Sequence, residues 1–387
     1  MMRPPVTIGS KLDETKGIGQ GFDFLRIFLA LSVLGVHSVL IAQGENYQFQ
    51  FEPVELFYWS ILPLFFALSG FLVTGSAMRL RIKAFLINRG MRIVPALAVD
   101  ICIAALIIGP IFTTLPLSQY FTSYEFYAYF ANITGIIHYV LPGVFEHNPF
   151  PATVNGSLWT VPFEIGCYAI MSGFIISGVL NRKGVAFAVS AVATAYIALT
   201  YYPGFHVLDL LGDRLHTLLV HFFAERGNYL YCYFMAGSMF YLFRYHIPYH
   251  RKWLVCCIAV FMATAFGLFD SIPDLPQKLL LMPIEIYIMV YVGILKIPPL
   301  PVYHRGDYSY GVYLYGYPIQ QVIVTLFPSV TSPLLHFAIS IPLVTLVAMF
   351  SWHCIEKPIL RLRKKFSFTA RKGDEVLPFY LGDFRMS

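Results

Sequence analysis

Ten stretches of about twenty apolar residues, near 22–42, 57–77, 93–113, 157–178, 184–202, 228–243, 253–269, 278–296, 308–327 and 333–354, constrain this chain more than any other feature. About twenty residues is the length a helix needs to cross the hydrocarbon core. In that solvent every backbone amide must be satisfied internally, so segments of this length read as helices. The chain is 57% hydrophobic and only 12% charged, far below the roughly 25% charge of an ordinary soluble domain. Its mean hydropathy is +0.65. The expected fold is therefore all-α, a polytopic transmembrane bundle of about ten spanning helices.

Charge orients the bundle. An eleventh stretch, 120–140, is interrupted by Glu125, Asn132, Gly135 and His138. If it does not cross and the N-terminus is cytoplasmic, the basic loops 79–92, 181–184, 244–252 and 296–305 and the C-terminal tail share one side. All but four of the 27 Lys and Arg residues then face the cytoplasm, the exceptions being Arg26, Arg214, Arg226 and Lys278. Both termini are expected there, with 1–21 a cytoplasmic segment, 22–356 the membrane domain and 357–387 a basic tail. Segment 114–156 is expected on the outer face, dipping into the membrane or lying on it, and 203–226 is an outer loop. The net charge of +6 is a topology signal, with no nucleic acid expected as a partner. The lipid bilayer is the expected environment. No small-residue cleavage site follows the first apolar segment, so it reads as a retained helix. The six cysteines lack CxxC spacing and read as packing residues, with no metal site expected.

The first apolar segment carries Asp23, Arg26 and His37. Ionisable groups inside hydrocarbon are costly and mark functional sites by default. Arg26 and His37 are eleven residues apart, which at about 100° per residue leaves them within roughly 20° of one helix face. The rise separates them by roughly 16 Å along the axis. Arg89 and Arg92, three apart at the expected start of the third helix, share a face that could grip phosphates. Ser157 and Glu164, seven apart, share a face on the outer side, with Trp159 close by. Glu285 is a further intramembrane charge, equally open to a structural hydrogen bond or a functional role. Ser69 in Leu-Ser-Gly reads as small-residue packing, and Tyr308, Tyr310, Tyr313 and Tyr315 read as packing and interface aromatics.

Six motifs occur in order: Asp23-Phe24-Leu25-Arg26 followed by His37; Leu64 to Leu72 around Leu68-Ser69-Gly70; Arg89-Gly90-Met91-Arg92; Asn155-Gly156-Ser157-Leu158-Trp159 through Glu164; Tyr308-Ser309-Tyr310-Gly311-Val312-Tyr313-Leu314-Tyr315; and Glu356-Lys357-Pro358. Together, from about 20 to 360, they resemble the integral-membrane acyltransferase-3 family of O-acyltransferases. The resemblance implies transfer of an acyl group, usually acetyl, from cytoplasmic acyl-CoA to hydroxyls of bacterial surface or secreted glycans. It further implies a saccharide or glycolipid acceptor and residence in the bacterial cytoplasmic (inner) membrane. Phe24 stands where many members have glycine. Longer members carry a fused extracytoplasmic hydrolase-like domain; here a periplasmic partner is expected on another chain if transfer needs one.

Such chemistry needs a base for the hydroxyl proton, donors for the oxyanion and cations for the CoA phosphates. His37 is the expected base, or a nucleophile that carries the acyl group. Glu164 is expected to assist it, Arg26 to hold the thioester end and Asp23 to hold Arg26 as a bidentate pair. Arg89, Arg92 and Arg26 are the expected acyl-CoA ligands, and Asn155, Ser157 and Trp159 the acceptor contacts, Trp159 by stacking on a sugar ring. A polar track of this kind would also serve a transporter of a polar solute or lipid-linked glycan.

Overall fold

The structure, a computed structural model, describes residues 6–15, 19–44, 52–200, 227–298 and 300–365. Among them there is no β-strand, only isolated bridges between Thr7 and Pro248 and between Thr113 and Val144. A short helix, α1 (Ile8–Glu14), precedes α2 (Gln20–Gln43), α3 (Glu52–Ala77) and α4 (Ile82–Ile103). Two short helices, α5 (Leu117–Thr122) and α6 (Tyr124–Tyr129), follow, then α7 (Val161–Ile176), α8 (Lys183–Thr200) and α9 (Tyr229–Leu242). The chain continues through α10 (Arg251–Ala265), α11 (Asp274–Ile294), α12 (Ser309–Leu326), α13 (Pro333–Ser351) and α14 (Lys357–Lys365). Each of the ten apolar stretches contains a helix. Among the described residues six stretches of helix, Gln20–Gln43, Pro53–Ala77, Ile82–Phe112, Gly156–Ile176, Pro276–Ile294 and Pro333–Leu362, are long and apolar enough to cross a membrane. The protein is an all-helical integral membrane protein.

Two boundaries differ from the sequence reading. The third long helix begins at Ile82 rather than near 93, because Arg89 and Arg92 lower the hydropathy of a segment that is nonetheless helical. Both arginines therefore lie within a helix, not in a loop. The stretch from 156 to 160 is a 3-10 turn ahead of α7, with about 3.0 residues per turn in place of 3.6. The seven-residue spacing of Ser157 and Glu164 thus does not put them on one helix face. The outer loop 203–226, with residues 1–5, 16–18 and 366–387 of the terminal segments, lies outside the described residues.

Segment 114–156 does not cross as a single helix. It runs through α5, α6 and a 3-10 turn, Phe130–Thr134, and returns to its start, where Thr114 N–H donates to Gly143 O at 2.9 Å and Thr113 Oγ1 to Pro142 O at 2.7 Å. Its final part then enters the bundle. Val154, Asn155 and Leu158 are wholly buried.

α2 is the hub, packed against α3, α11, α12 and α13. Small residues permit the closest approaches. A Cβ on Gly70 of α3 would lie 2.0 Å from Phe234 O of α9, and one on Gly237 of α9 would lie 2.0 Å from Ala67 O. α2 meets α12 at Gly316, where a Cβ would reach Leu34 Cδ1 at 2.8 Å.

Two π-turns interrupt long helices, Ala104–Ile108 after α4 and Trp352–Glu356 after α13. Such bulges free backbone groups and redirect side chains. At the first, Tyr120 OH donates to Ala105 O at 2.7 Å. The second turns Trp352 and Glu356 into the protein, both buried.

Candidate active site

Three arginines converge at one end of α2. Arg92 Nη2 lies 2.7 Å from Asp307 Oδ2, and Arg26 Nη1 lies 3.3 Å from the same oxygen. Ser309 Oγ donates to the other Asp307 oxygen at 2.7 Å. Asp307 immediately precedes α12 and is half-buried. Burial opposes its ionisation, but the Arg92 and Arg26 guanidiniums outweigh that and hold its carboxyl down at about 2. Glu356, delivered by the second π-turn, brings Oε2 to 3.9 Å from Arg92 Nη1 and takes a hydrogen bond from Ser351 Oγ at 3.1 Å. Arg92 also lies over the rings of Tyr310 and Trp352, 5.9 Å from each centroid.

Arg89 is placed differently. Its guanidinium lies over the rings of Phe85 and Tyr168, at 5.7 and 5.8 Å, and has no acidic partner within ion-pair distance among the described residues. Its buried Nε has no hydrogen-bond partner there either. Tyr168 OH donates to Glu164 Oε1 at 2.6 Å, which ties Glu164 to the arginine cluster. The structure thus gathers Arg26, Arg89, Arg92 and Glu164. No hydrogen bond or ion pair among the described residues links Glu164 to His37.

Asp23 does not form the expected bidentate pair. It stands 3.9 Å from Arg26 with 57% of its side chain exposed, while the closer partner of Arg26 is Asp307. The i, i+3 spacing permits a pair, but Asp307, approaching from another element, takes the guanidinium at the shorter distance.

His37 sits on the same uninterrupted helix as Arg26. Its ring meets that of Tyr317 edge-on, centroids 5.0 Å apart, and among the described residues neither ring nitrogen has a hydrogen-bond partner. Tyr317 presses in turn on the entering segment, since a Cβ on Gly156 would lie 2.5 Å from its ring. Glycine is required there for the ring to lie between His37 and the 155–160 turn.

That turn is pinned from several sides. Asn155 caps it by accepting from Ser157 N–H at 3.0 Å, and donates to Asp100 Oδ2 at 2.8 Å and Leu314 O at 3.0 Å. Asn155 is fully buried and fully engaged, so it positions the turn rather than facing an acceptor. Thr160 Oγ1 and Tyr313 OH are 2.6 Å apart, and Tyr313 OH donates to Ser157 O at 3.2 Å. Ser157 Oγ is buried with no partner among the described residues. Trp159 is half-buried, its ring 5.8 Å from that of Phe163.

Between the two ends, Tyr310, Tyr313 and Tyr317 follow one another at steps of three and four, so one face of α12 extends from Arg92, beside Tyr310, to His37, beside Tyr317. From sequence alone Tyr310 and Tyr313 read as packing aromatics. Asp307, Asp100, Tyr317 and Glu356 join the site only through the fold. Asp100, buried in the middle of an apolar segment, carried the signal that singled out Asp23: an ionisable group where lipid is expected. Glu285 proves structural, both oxygens being taken, by Ser60 Oγ at 2.5 Å and Tyr233 OH at 2.6 Å. Among the described residues no group of three or more His, Cys, Asp or Glu could hold a metal ion.

The chain is similar to known proteins along most of its length. The chain is 28% identical over 348 residues to an O-acetyl transferase of Shigella phage Sf6, covering 88% of this chain and 95% of the relative. It is 26% identical over 403 residues to nodulation protein 10 of Rhizobium leguminosarum bv. viciae, covering 94% of this chain and 99% of the relative. No solved structure matches. A family model described as an acyltransferase domain matches residues 20–353, and the chain therefore belongs to the acyltransferase-3 family.

Proposed function

We propose that this protein is a membrane O-acyltransferase that moves an acyl group, acetyl in the simplest case, from cytoplasmic acyl-CoA to a hydroxyl of a lipid-linked or extracytoplasmic saccharide. One observation carries the reading: a single helix bears Arg26, inside a cluster of three arginines, and His37, whose ring nitrogens have no partner among the described residues. The first end suits a polyanion and the second suits proton transfer. The two named relatives, an O-acetyl transferase and a nodulation protein, support the same class.

In this scheme the CoA phosphates bind the arginine cluster, with Arg89 the readiest ligand because no carboxylate pairs with it. Arg26 and Arg92 contribute the N–H groups that Asp307 leaves unused. The acyl-pantetheine arm runs along the Tyr310, Tyr313 and Tyr317 face toward His37. A neutral His37 nitrogen takes the proton of the acceptor hydroxyl as its oxygen attacks the thioester carbonyl carbon. The tetrahedral intermediate collapses, the C–S bond breaks, and the proton passes from His37 to the departing CoA sulfur. Products are the ester and free CoA thiol. Glu164 fixes the Tyr168 ring under the Arg89 guanidinium, Asp23 marks the cytoplasmic mouth, and Ser157 and Trp159 face the acceptor. We further propose ten spans with both termini cytoplasmic in a bacterial inner membrane, and a separate periplasmic chain where the acceptor must be handed on.

The test is release of free CoA thiol by the purified protein in nanodiscs, given acetyl-CoA with and without a crude lipid-linked saccharide fraction. Acceptor-stimulated release that disappears in His37→Ala is expected. Full release by His37→Ala would refute the assignment of the base, and no release or acyl-CoA binding by the wild type would return the polar track to a transport role.

A further inference from the structure

Beside His37 lies a polar cluster that the scheme above does not use. Ser38 of α2, Gln320 of α12 and His336 of α13 are each wholly buried. Gln320 Nε2 donates to Leu34 O at 2.9 Å and to Ser38 Oγ at 2.5 Å. Ser38 Oγ donates to the same Leu34 carbonyl at 3.0 Å. Gln320 O is met by His336 Nε2 at 3.1 Å. The amide thus grips α2 on both sides of His37 in sequence, at the residue three before it and the residue just after it.

Packing alone does not account for the cluster. Gln320 Oε1 and His336 Nδ1 are both buried without a hydrogen-bond partner among the described residues. A buried polar atom left unsatisfied costs roughly 1–3 kcal/mol, and an apolar side chain at either position would avoid that cost. What the cluster secures is the rotation of α2 against α12. Gln320 lies three residues beyond Tyr317, so the helix that supplies the ring against His37 also holds Leu34 and Ser38 on either side of His37 in α2. Gly316 lets the two helices close to that distance.

We infer that Gln320 is a positioning residue for His37, its side-chain amide locking the Leu34–Ser38 turn of α2 so that the imidazole is held against Tyr317 and aimed toward the Gly156–Ser157 turn. Its part in turnover rests on the acyltransferase reading; the placement of the imidazole does not.

Two readouts separate these. The first is the carbethoxylation rate of His37 by diethyl pyrocarbonate in the full-length protein, followed by mass spectrometry of the His37 peptide, with exposed His147 as the internal control. Gln320→Leu is expected to change the His37 rate several-fold while leaving His147 and the yield of folded protein unchanged. The second is steady-state CoA release. A loss of kcat between about tenfold and a hundredfold, with KM for acetyl-CoA unmoved, is expected from a misaimed catalytic group. A structural role would instead lower folded yield and leave the kcat of the surviving protein intact. If Gln320→Leu does not fold, Ser38→Ala removes one of the two clamped groups and should move both readouts in the same direction by less. An unchanged His37 rate in a folded variant would overturn the inference. A wild type that releases no CoA would overturn the acyltransferase reading alone, and the His37 rate would still decide the clamp.

Discussion

Asp307 illustrates how one carboxylate organises a charged site at the edge of a membrane. Two guanidiniums share its Oδ2, and Ser309 holds the other oxygen. Without it Arg26 and Arg92 would repel each other in a place poor in water. Removing one member of a fully buried pair costs roughly 3–5 kcal/mol. A quarter of the Asp307 side chain is exposed, so Asp307→Asn is expected to cost nearer about 2 kcal/mol, read as a lowered Tm in detergent. The direction with pH follows from the shift. Its carboxyl lies at about 2 in the folded protein against 3.8 ordinarily, so its contribution is fully present above 3.8 and is lost as pH falls through about 2. Wild-type stability should carry this acid-dependent component, and Asp307→Asn should lack it. Asp307 was not legible from sequence because nothing local marks it: its partners lie on α2 and α4, more than two hundred residues away.

At the scale of elements, the bundle depends on helices that approach closely at glycine. The motif Leu68-Ser69-Gly70 is a contact between α3 and α9, where the backbone of one helix touches that of the other. Lipid tails supply little drive for helix association, so such close packing carries much of it. Gly70→Ala places a methyl group 2.0 Å from a backbone oxygen, which no side-chain rotation relieves. The expected cost is about 1–3 kcal/mol, the usual range for overpacking, measurable as a fall in thermal stability. Gly173→Ala is the control, since nothing lies within 4 Å of a Cβ there. Helix existence was readable from hydropathy, but the helical start at Ile82 was not, because Arg89 and Arg92 interrupt the apolar pattern. Of the two residues that hid the boundary, Arg92 pairs with Asp307 and Arg89 packs over Tyr168.

For the whole molecule, the described contacts place several distant parts on one face. α1 docks on the turn after α9, with Ile8 N–H donating to Ile247 O at 3.0 Å and Tyr249 N–H to Val6 O at 2.8 Å. Tyr245 OH also donates to Asp13 at 3.1 Å. The N-terminal segment and residues 244–249 must therefore share a side, whichever side that is. Single cysteines at Glu14 and His246 in a cysteine-free background should label together from one side of intact vesicles, and one at Glu146 from the other. Labelling of all three from one side would sink the ten-span arrangement. Hydropathy alone is enough to make the chain an all-helical membrane protein, and Arg26, His37, Arg89, Arg92 and Glu164 stand out in it because the cost of charge in hydrocarbon can be read one residue at a time. It takes the packing of helices to show that Asp307 is the closer partner of Arg26 than Asp23, that Glu164 stands with the arginines, and that Asn155 braces a turn. Those outcomes depend on which helices are neighbours and on the depth to which a loop is drawn inward, and pairing between distant elements leaves no trace in local hydropathy or spacing.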